Sequence, residues 1–254
     1  MGIPARNISS NLNENQKLWR YMSLDKLIDI LHKKRLYFSA VGNYTFDPHE
    51  GLLPKSLRQE LAALFSGNIT LPNENVKFEE MISLILSAFT VNCWHQNDGE
   101  SEAMWKLYSD LNKGVAIQTT VKSLSDSITS ELSDKILFSD VHYVDLNNNV
   151  NLNLGFNSFK LIPAFKRLAF QHEREARLIY SHPIEKGMEK FRDKSPATID
   201  VNPSLLIEKI YISPYAEEPF PSSVECVLKM FGISDDKIVR SDLLTVDESL
   251  RKLF

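Results

Sequence analysis

The chain has 254 residues, 43% of them hydrophobic and 24% charged, with a net charge of −4. That balance excludes a disordered or fibrous polymer and supplies enough apolar side chains for a sizeable core. With a pI near 5.9 there is no overall positive field to draw a phosphate backbone or an anionic lipid surface, so any nucleic-acid contact would have to use a local patch.

Residues 1–16 are rich in Asn and Ser and lack hydrophobic periodicity, which predicts a leading arm that need not pack, with one domain over 17–254. The run Leu18 to Met22 predicts a strand, and Ser23 then supplies an N-cap for a helix through Lys34. In that helix Leu24, Leu27, Ile28 and Leu31 form one apolar face. A strand over Leu36 to Ala40 follows, and the Asp47-Pro48 break places Asp47 to Gly51 on a loop. Glu79 to Ser87 reads as a helix, Phe89 to His95 as a buried strand, and a short helix carries Met104, Trp105 and Tyr108. Strands are predicted at Gly114 to Thr119 and Val141 to Val144, with an exposed mobile loop over Asn147 to Asn157. Phe159 to Phe170 is expected to be a helix, Arg174 to Tyr180 a strand, Leu206 to Ile212 a strand, and Ser222 to Phe231 a helix stopped by Gly232. No Gly-rich phosphate loop follows any strand, which disfavours the doubly wound nucleotide folds.

Cys93 and Cys226 form no CxxC pair and no zinc spacing, so a reducing, cytoplasmic setting is the simplest. Met1 to Asn15 lacks the apolar core of a secretory signal, and no apolar stretch is long enough to cross a bilayer.

Four stretches carry a family resemblance: Leu18-Trp19-Arg20-Tyr21 with Leu36-Tyr37-Phe38-Ser39; Phe46-Asp47-Pro48-His49-Glu50-Gly51; Cys93-Trp94-His95 followed by Met104-Trp105-Lys106-Leu107-Tyr108 and Lys113-Gly114-Val115; and His172-Glu173-Arg174-Glu175-Ala176-Arg177-Leu178-Ile179. In this order and spacing the chain resembles the bacterial domain-of-unknown-function family 2971 (DUF2971). That layout is also similar, distantly, to the ADP-ribosyltransferase fold. The resemblance implies an α+β single domain with a split pair of small mixed or antiparallel sheets flanked by helices. It also implies a cleft for NAD as substrate, and a mono-ADP-ribosyltransferase acting as a toxin or phage-defence effector. The acceptor would be a protein or nucleic acid, the regulatory partner an antitoxin or similar protein, and no membrane would be involved.

The same resemblance implies the site residues. A basic residue on the first strand corresponds to Arg20, an aromatic or Ser position to Ser39 or the Trp94 region, and the Glu opening a later strand to Glu175. Breaking the nicotinamide–ribose bond develops positive charge on the ribose, so a carboxylate there stabilises the transition state. Glu175 is the candidate, with Glu173 as a second carboxylate projecting from the same face of an extended segment. Arg20 is expected to hold a pyrophosphate or ribose oxygen, and Tyr21, Trp94 or Tyr108 to stack on the nicotinamide. Arg20, Trp94 and Glu175 should therefore line one cleft. The competing structural readings are a solvent-facing strand start for Glu173 and Glu175, paired with Arg174 or Arg177, an ion pair for Arg20, and core packing for the aromatics.

Two other functions stay open on the residues. Asp47, His49 and Glu50 are ligand types that would suit a divalent metal in a hydrolase or nuclease, although a turn explains them as well. Cys93 and His95 share a strand face, but at roughly 6 to 7 Å between Cα atoms a buried Cys is favoured over a nucleophile–base pair. A non-catalytic ligand-binding module is the third possibility.

Overall fold

In the computed structural model, residues 2–41, 55, 59, 86–147, 156–182 and 196–246 are described. Most of the predicted helix over Glu79 to Ser87, the loop Asp47 to Gly51 and most of Asn147 to Asn157 lie outside them. The strands are β1 (Lys17–Ser23), β2 (Arg35–Ala40), β3 (Phe89–Gln96), β4 (Gly114–Thr120), β5 (Ile136–Asp140), β6 (His142–Val144), β7 (Phe165–Arg167), β8 (Glu175–Ser181), β9 (Ala197–Asp200), β10 (Lys209–Ile212) and β11 (Ile238–Arg240). Nine of them form one sheet, and β6 and β7 form a separate pair.

The sheet is mixed and forks at β3 into two arms. β8 pairs with β3 from Phe89 to His95 and so takes one edge of it. On the other edge β1 meets only the end of β3, at Leu18↔Gln96 and Trp19↔His95, while β2 meets its beginning, at Ser39↔Val91 and Ala40↔Thr90. β1 leads on to β4, β10 and β11, and β2 leads to β9. In the gap between β1 and β2, the Asn92 amide donates to the Tyr37 carbonyl at 2.9 Å and the Trp94 indole donates to Asn92 at 2.6 Å. The Asn92 amide thus satisfies a backbone carbonyl that a continuous ladder would otherwise pair, and its oxygen is in turn met by the Trp94 ring.

Alternation along the strands divides the core. Leu18, Met22, Trp94, Val115, Ile117, Ala176 and Leu178 face a large cluster. It is covered by helices α1 (Leu24–Lys33), α3 (Val121–Ser127), α4 (Pro203–Leu206) and α5 (Phe220–Met230), which contribute buried Leu27 and Leu31, Leu124, Leu206, and Val224 and Leu228. The other face carries two smaller clusters. One has Trp19, Tyr21 and Ala116 under Met104 and Trp105 of helix α2 (Glu102–Tyr108). The second has Phe89, Val91 and Ile179 under Ala164.

Several local forms follow from sequence chemistry. α1 stops at Lys34, which adopts a left-handed φ of 51°, and α5 gives way to Gly232 at φ 77°, a conformation glycine takes without a Cβ penalty. Gly114 is required by close approach, because a Cβ there would lie 2.5 Å from the Ser109 hydroxyl oxygen. Two expectations are corrected. The leading arm is packed: Ile3 and Leu12 are buried in the main core, and the Ser9 N–H donates to the Phe138 carbonyl at 2.8 Å. The helix expected over Phe159 to Phe170 is replaced by a 3-10 segment to Ala164, strand β7, and a second 3-10 turn over Leu168–Glu173. Pro163 lies inside the first 3-10 segment, where it lacks the N–H a continuous α-helix needs and its ring would clash with the preceding turn.

Among the described residues no helix is long and apolar enough to cross a membrane.

Candidate active site

The breaking of that helix builds the site. β7 runs parallel to β6 with Tyr143 opposite Lys166, so the small two-stranded sheet presents both side chains to the start of β8. The second 3-10 turn ends at Glu173, and Arg174 takes a left-handed φ of 40° before β8 opens at Glu175. Glu173 and Glu175 are thus brought together by a left-handed kink, in place of the simple extended spacing expected. On β8, Glu175 stands opposite His95 of β3, which in turn stands opposite Trp19 of β1. The pair therefore sits between the two smaller apolar clusters.

Neither carboxyl faces solvent: Glu173 is 4% exposed and Glu175 7%. Lys166 bridges them, donating to Glu173 Oε2 and, at 2.6 Å, to Glu175 Oε1. Arg177 donates from Nε to Glu175 Oε2 at 2.7 Å and from Nη2 to Oε1 at 3.2 Å, while its Nη1 is held by the Pro163 carbonyl at 2.7 Å. The second oxygen of Glu173 accepts from the Tyr108 hydroxyl at 2.6 Å. The Tyr143 hydroxyl accepts from the Glu175 backbone N–H at 2.7 Å. Tyr108 is 49% exposed, so its ring forms the outer wall over Glu173.

The surroundings drive the two carboxyls apart. Burial opposes ionisation of Glu175, but the Arg177 guanidinium and the Lys166 ammonium overcome it and hold the group well below the usual carboxylate range. Burial and the neighbouring Glu175 push Glu173 up to about 7, against the opposing pull of Lys166 and Tyr108. One member is a fixed negative charge and the other exchanges a proton near neutrality. Burial, then the Glu173 carboxylate, raises the Tyr108 phenol. Burial, with Glu175 alongside, pushes the Cys93 thiol up to about 12, which removes Cys93 as a thiolate nucleophile at neutral pH.

The sequence-predicted residues separate into two groups. Glu173, Glu175 and Tyr108 come together. Tyr21 lies on the same sheet face, its ring 6.4 Å from that of His95 and 4.9 Å edge-on to Trp105, and its hydroxyl accepts from the Ser101 N–H at 2.8 Å. Ser39, opposite Val91, shares this face but lies four residues along β3 from His95, about 13 Å away. Arg20 and Trp94 do not join them. Arg20 stands opposite Ile117 of the main core, its guanidinium 5.7 Å from the Trp94 ring centre. The common cleft for Arg20, Trp94 and Glu175 is corrected on this register: neighbouring residues of a strand point to opposite faces, so Arg20 and Tyr21 cannot both face Glu175.

Sequence reasoning missed Lys166 and Tyr143, and it treated Arg177 only as an ordinary salt-bridge partner. Two signals were present: Pro163 inside the expected helix, and Arg177 two residues beyond Glu175 on a strand, hence on the same face. Among the described residues no group of three or more His, Cys, Asp or Glu side chains could hold a metal ion; Asp47, His49 and Glu50 lie outside them.

Residues 104–178 match the family described as "Protein of unknown function (DUF2971)". The match covers α2 from Met104 onward, the two carboxylates and Arg177. No curated protein matches the chain. Among solved structures, the chain is similar to Thermus sp. 2.9 DarT in complex with carba-NAD+, with 12% identity, a TM-score of 0.37, and 90% of this chain and 96% of that chain covered. It is also similar to the same DarT in complex with ADP-ribosylated ssDNA, with 10% identity, a TM-score of 0.39, and coverage of 90% and 95%.

Proposed function

We propose that the chain transfers ADP-ribose from NAD to a protein or nucleic-acid acceptor, with Glu173 and Glu175 as its working carboxylates. The observation that carries this reading is the geometry of the pair: two enclosed carboxyls share Lys166, with Arg177 on Glu175 and the Tyr108 hydroxyl on Glu173, a setting that favours an ionised Glu175 and raises Glu173. Cleaving the nicotinamide–ribose bond sends its electron pair out with nicotinamide and leaves positive charge on the ribose. Glu175 supplies the fixed negative charge that opposes it. Glu173 takes the proton from the acceptor as the new bond to ribose forms, a role suited to a base whose pKa lies near the working pH. Tyr108, half exposed on the carboxylate side of the sheet, is the aromatic face available to a flat ring, whereas Tyr21 is buried beside Trp105; Arg20 and Trp94 are assigned to holding the fork.

One observation favours a second reading. Both oxygens of Glu175 are already engaged, by Arg177 and Lys166, as they would be in a network that only holds the fold. Glu175→Gln distinguishes the two. Nicotinamide release should fall about a hundredfold to a thousandfold, about 3 to 4 kcal/mol, while circular dichroism reports an intact fold. Release at the wild-type rate, or none from the wild type, defeats the transferase reading. A role as a cytoplasmic bacterial toxin or phage-defence effector, with an antitoxin or other regulatory protein as partner, extends this proposal from the family resemblance alone.

A further inference from the structure

His95 is half of an unfinished hydrogen-bonding pattern. Its Nδ1 lies 2.6 Å from the Glu173 carbonyl oxygen, which can only accept, so Nδ1 carries the proton. Burial, outweighing that carbonyl, lowers the imidazole's pKa and keeps the ring neutral. Nε2 is then a bare lone pair. The residue is 8% exposed, and Nε2 has no hydrogen-bond partner among the described residues. Leaving a buried acceptor unmet costs about 1 to 3 kcal/mol, and native proteins rarely do so without a ligand or water to meet it. The position is also informative, because His95 stands directly opposite Glu175 in the ladder and its ring lies 6.4 Å from that of Tyr21 on the same face.

We infer that Nε2 of His95 accepts a hydrogen bond from the N–H of a primary carboxamide, so that it seats the leaving nicotinamide beside the two carboxylates. This inference rests on the transferase reading. An anionic group has no proton to offer Nε2. An ammonium would find Glu173 and Glu175 already paired with Lys166 and Arg177, with no carboxylate left over to hold it. A carboxamide is neutral, flat and a donor, and it is the polar group on the leaving ring of the proposed reaction. The same contact explains why Nδ1 is tied to the backbone of Glu173: carboxamide and general base are held by one ring.

The experiment titrates the full chain by calorimetry with nicotinamide and with methyl nicotinate, which keeps the ring but has no N–H, and follows the His95 imidazole nitrogens by long-range proton–nitrogen NMR. Wild type should prefer nicotinamide by about tenfold or more, the effect of one good buried hydrogen bond. The Nε2 resonance should move on adding nicotinamide. His95→Phe should reduce the preference to within about twofold, and His95→Gln, which restores one donor and one acceptor, should recover part of it. An Nε2 signal unmoved by nicotinamide, a preference that survives in folded His95→Phe, or no nicotinamide binding overturns the inference. The two readings fail separately. Binding through His95 without nicotinamide release from NAD removes the transferase and keeps the carboxamide site, whereas release with an unmoved Nε2 does the reverse.

Discussion

Glu173→Gln tests the electrostatics of the carboxylate pair through stability alone, without any substrate. In the folded protein Glu173 is raised from its usual 4.5 to about 7. A carboxyl that binds its proton more tightly when folded makes the native state hold more protons than the unfolded chain between those two values. Stability must then fall as pH rises through that window, with the full cost present above about 7. A rise of this size corresponds to about 3 kcal/mol at about 1.4 kcal/mol per tenfold change. We discount it to about 2 kcal/mol, because Tyr108 leaves one wall of the site open to solvent screening. Glutamine is nearly isosteric and always neutral, so it mimics protonated Glu173. Urea unfolding at pH 5 should therefore give similar stabilities for wild type and variant, and at pH 8 the variant should be the more stable by about 2 kcal/mol. Equal stabilities at pH 8, or a variant weaker at both values, would show that Glu173 is not held in a raised state.

Other outcomes follow from the same contacts. Arg177→Met strips Glu175 of its main cation in a site where Arg177 is 1% exposed, so urea unfolding at pH 7 should show a loss of about 3 to 5 kcal/mol; a loss under about 1 kcal/mol would mean that Lys166 alone suffices. Tyr108→Phe removes the hydroxyl that stabilises ionised Glu173, so carboxyl carbon NMR should place the Glu173 titration at higher pH than in wild type, and an unchanged or lower midpoint contradicts the assigned contact. Arg20→Met should lower stability by at least about 1 kcal/mol, the share of its cation–π contact with Trp94, and leave nicotinamide release unchanged; a folded variant that releases none would return Arg20 to the site.

Local sequence determined much of the fold, because periodicity is a local property. The strands β1, β2, β3, β4 and β8 and helices α1, α2 and α5 were each legible from alternation or an apolar stripe, with ends set by features such as Gly232. Glu173, Glu175 and Tyr108 came from the family resemblance, since their own residue pattern fitted an ordinary strand start and core packing equally well. Local reading failed where the decisive interaction was distant. Ile3 and Leu12 look like members of a polar arm until the core that receives them exists. Pro163 announced a break, but only the pairing of β6 with β7 decided that Lys166 would enter the site. The division of Arg20 from Glu175 depended on register across three strands, Trp19 to His95 to Glu175. A one-residue difference in that register reverses every side chain's face, and no residue's own neighbours in the chain encode it. The protonation states of the two glutamates were likewise decided only by tertiary structure, since burial and the approach of Lys166 and Arg177 set them apart.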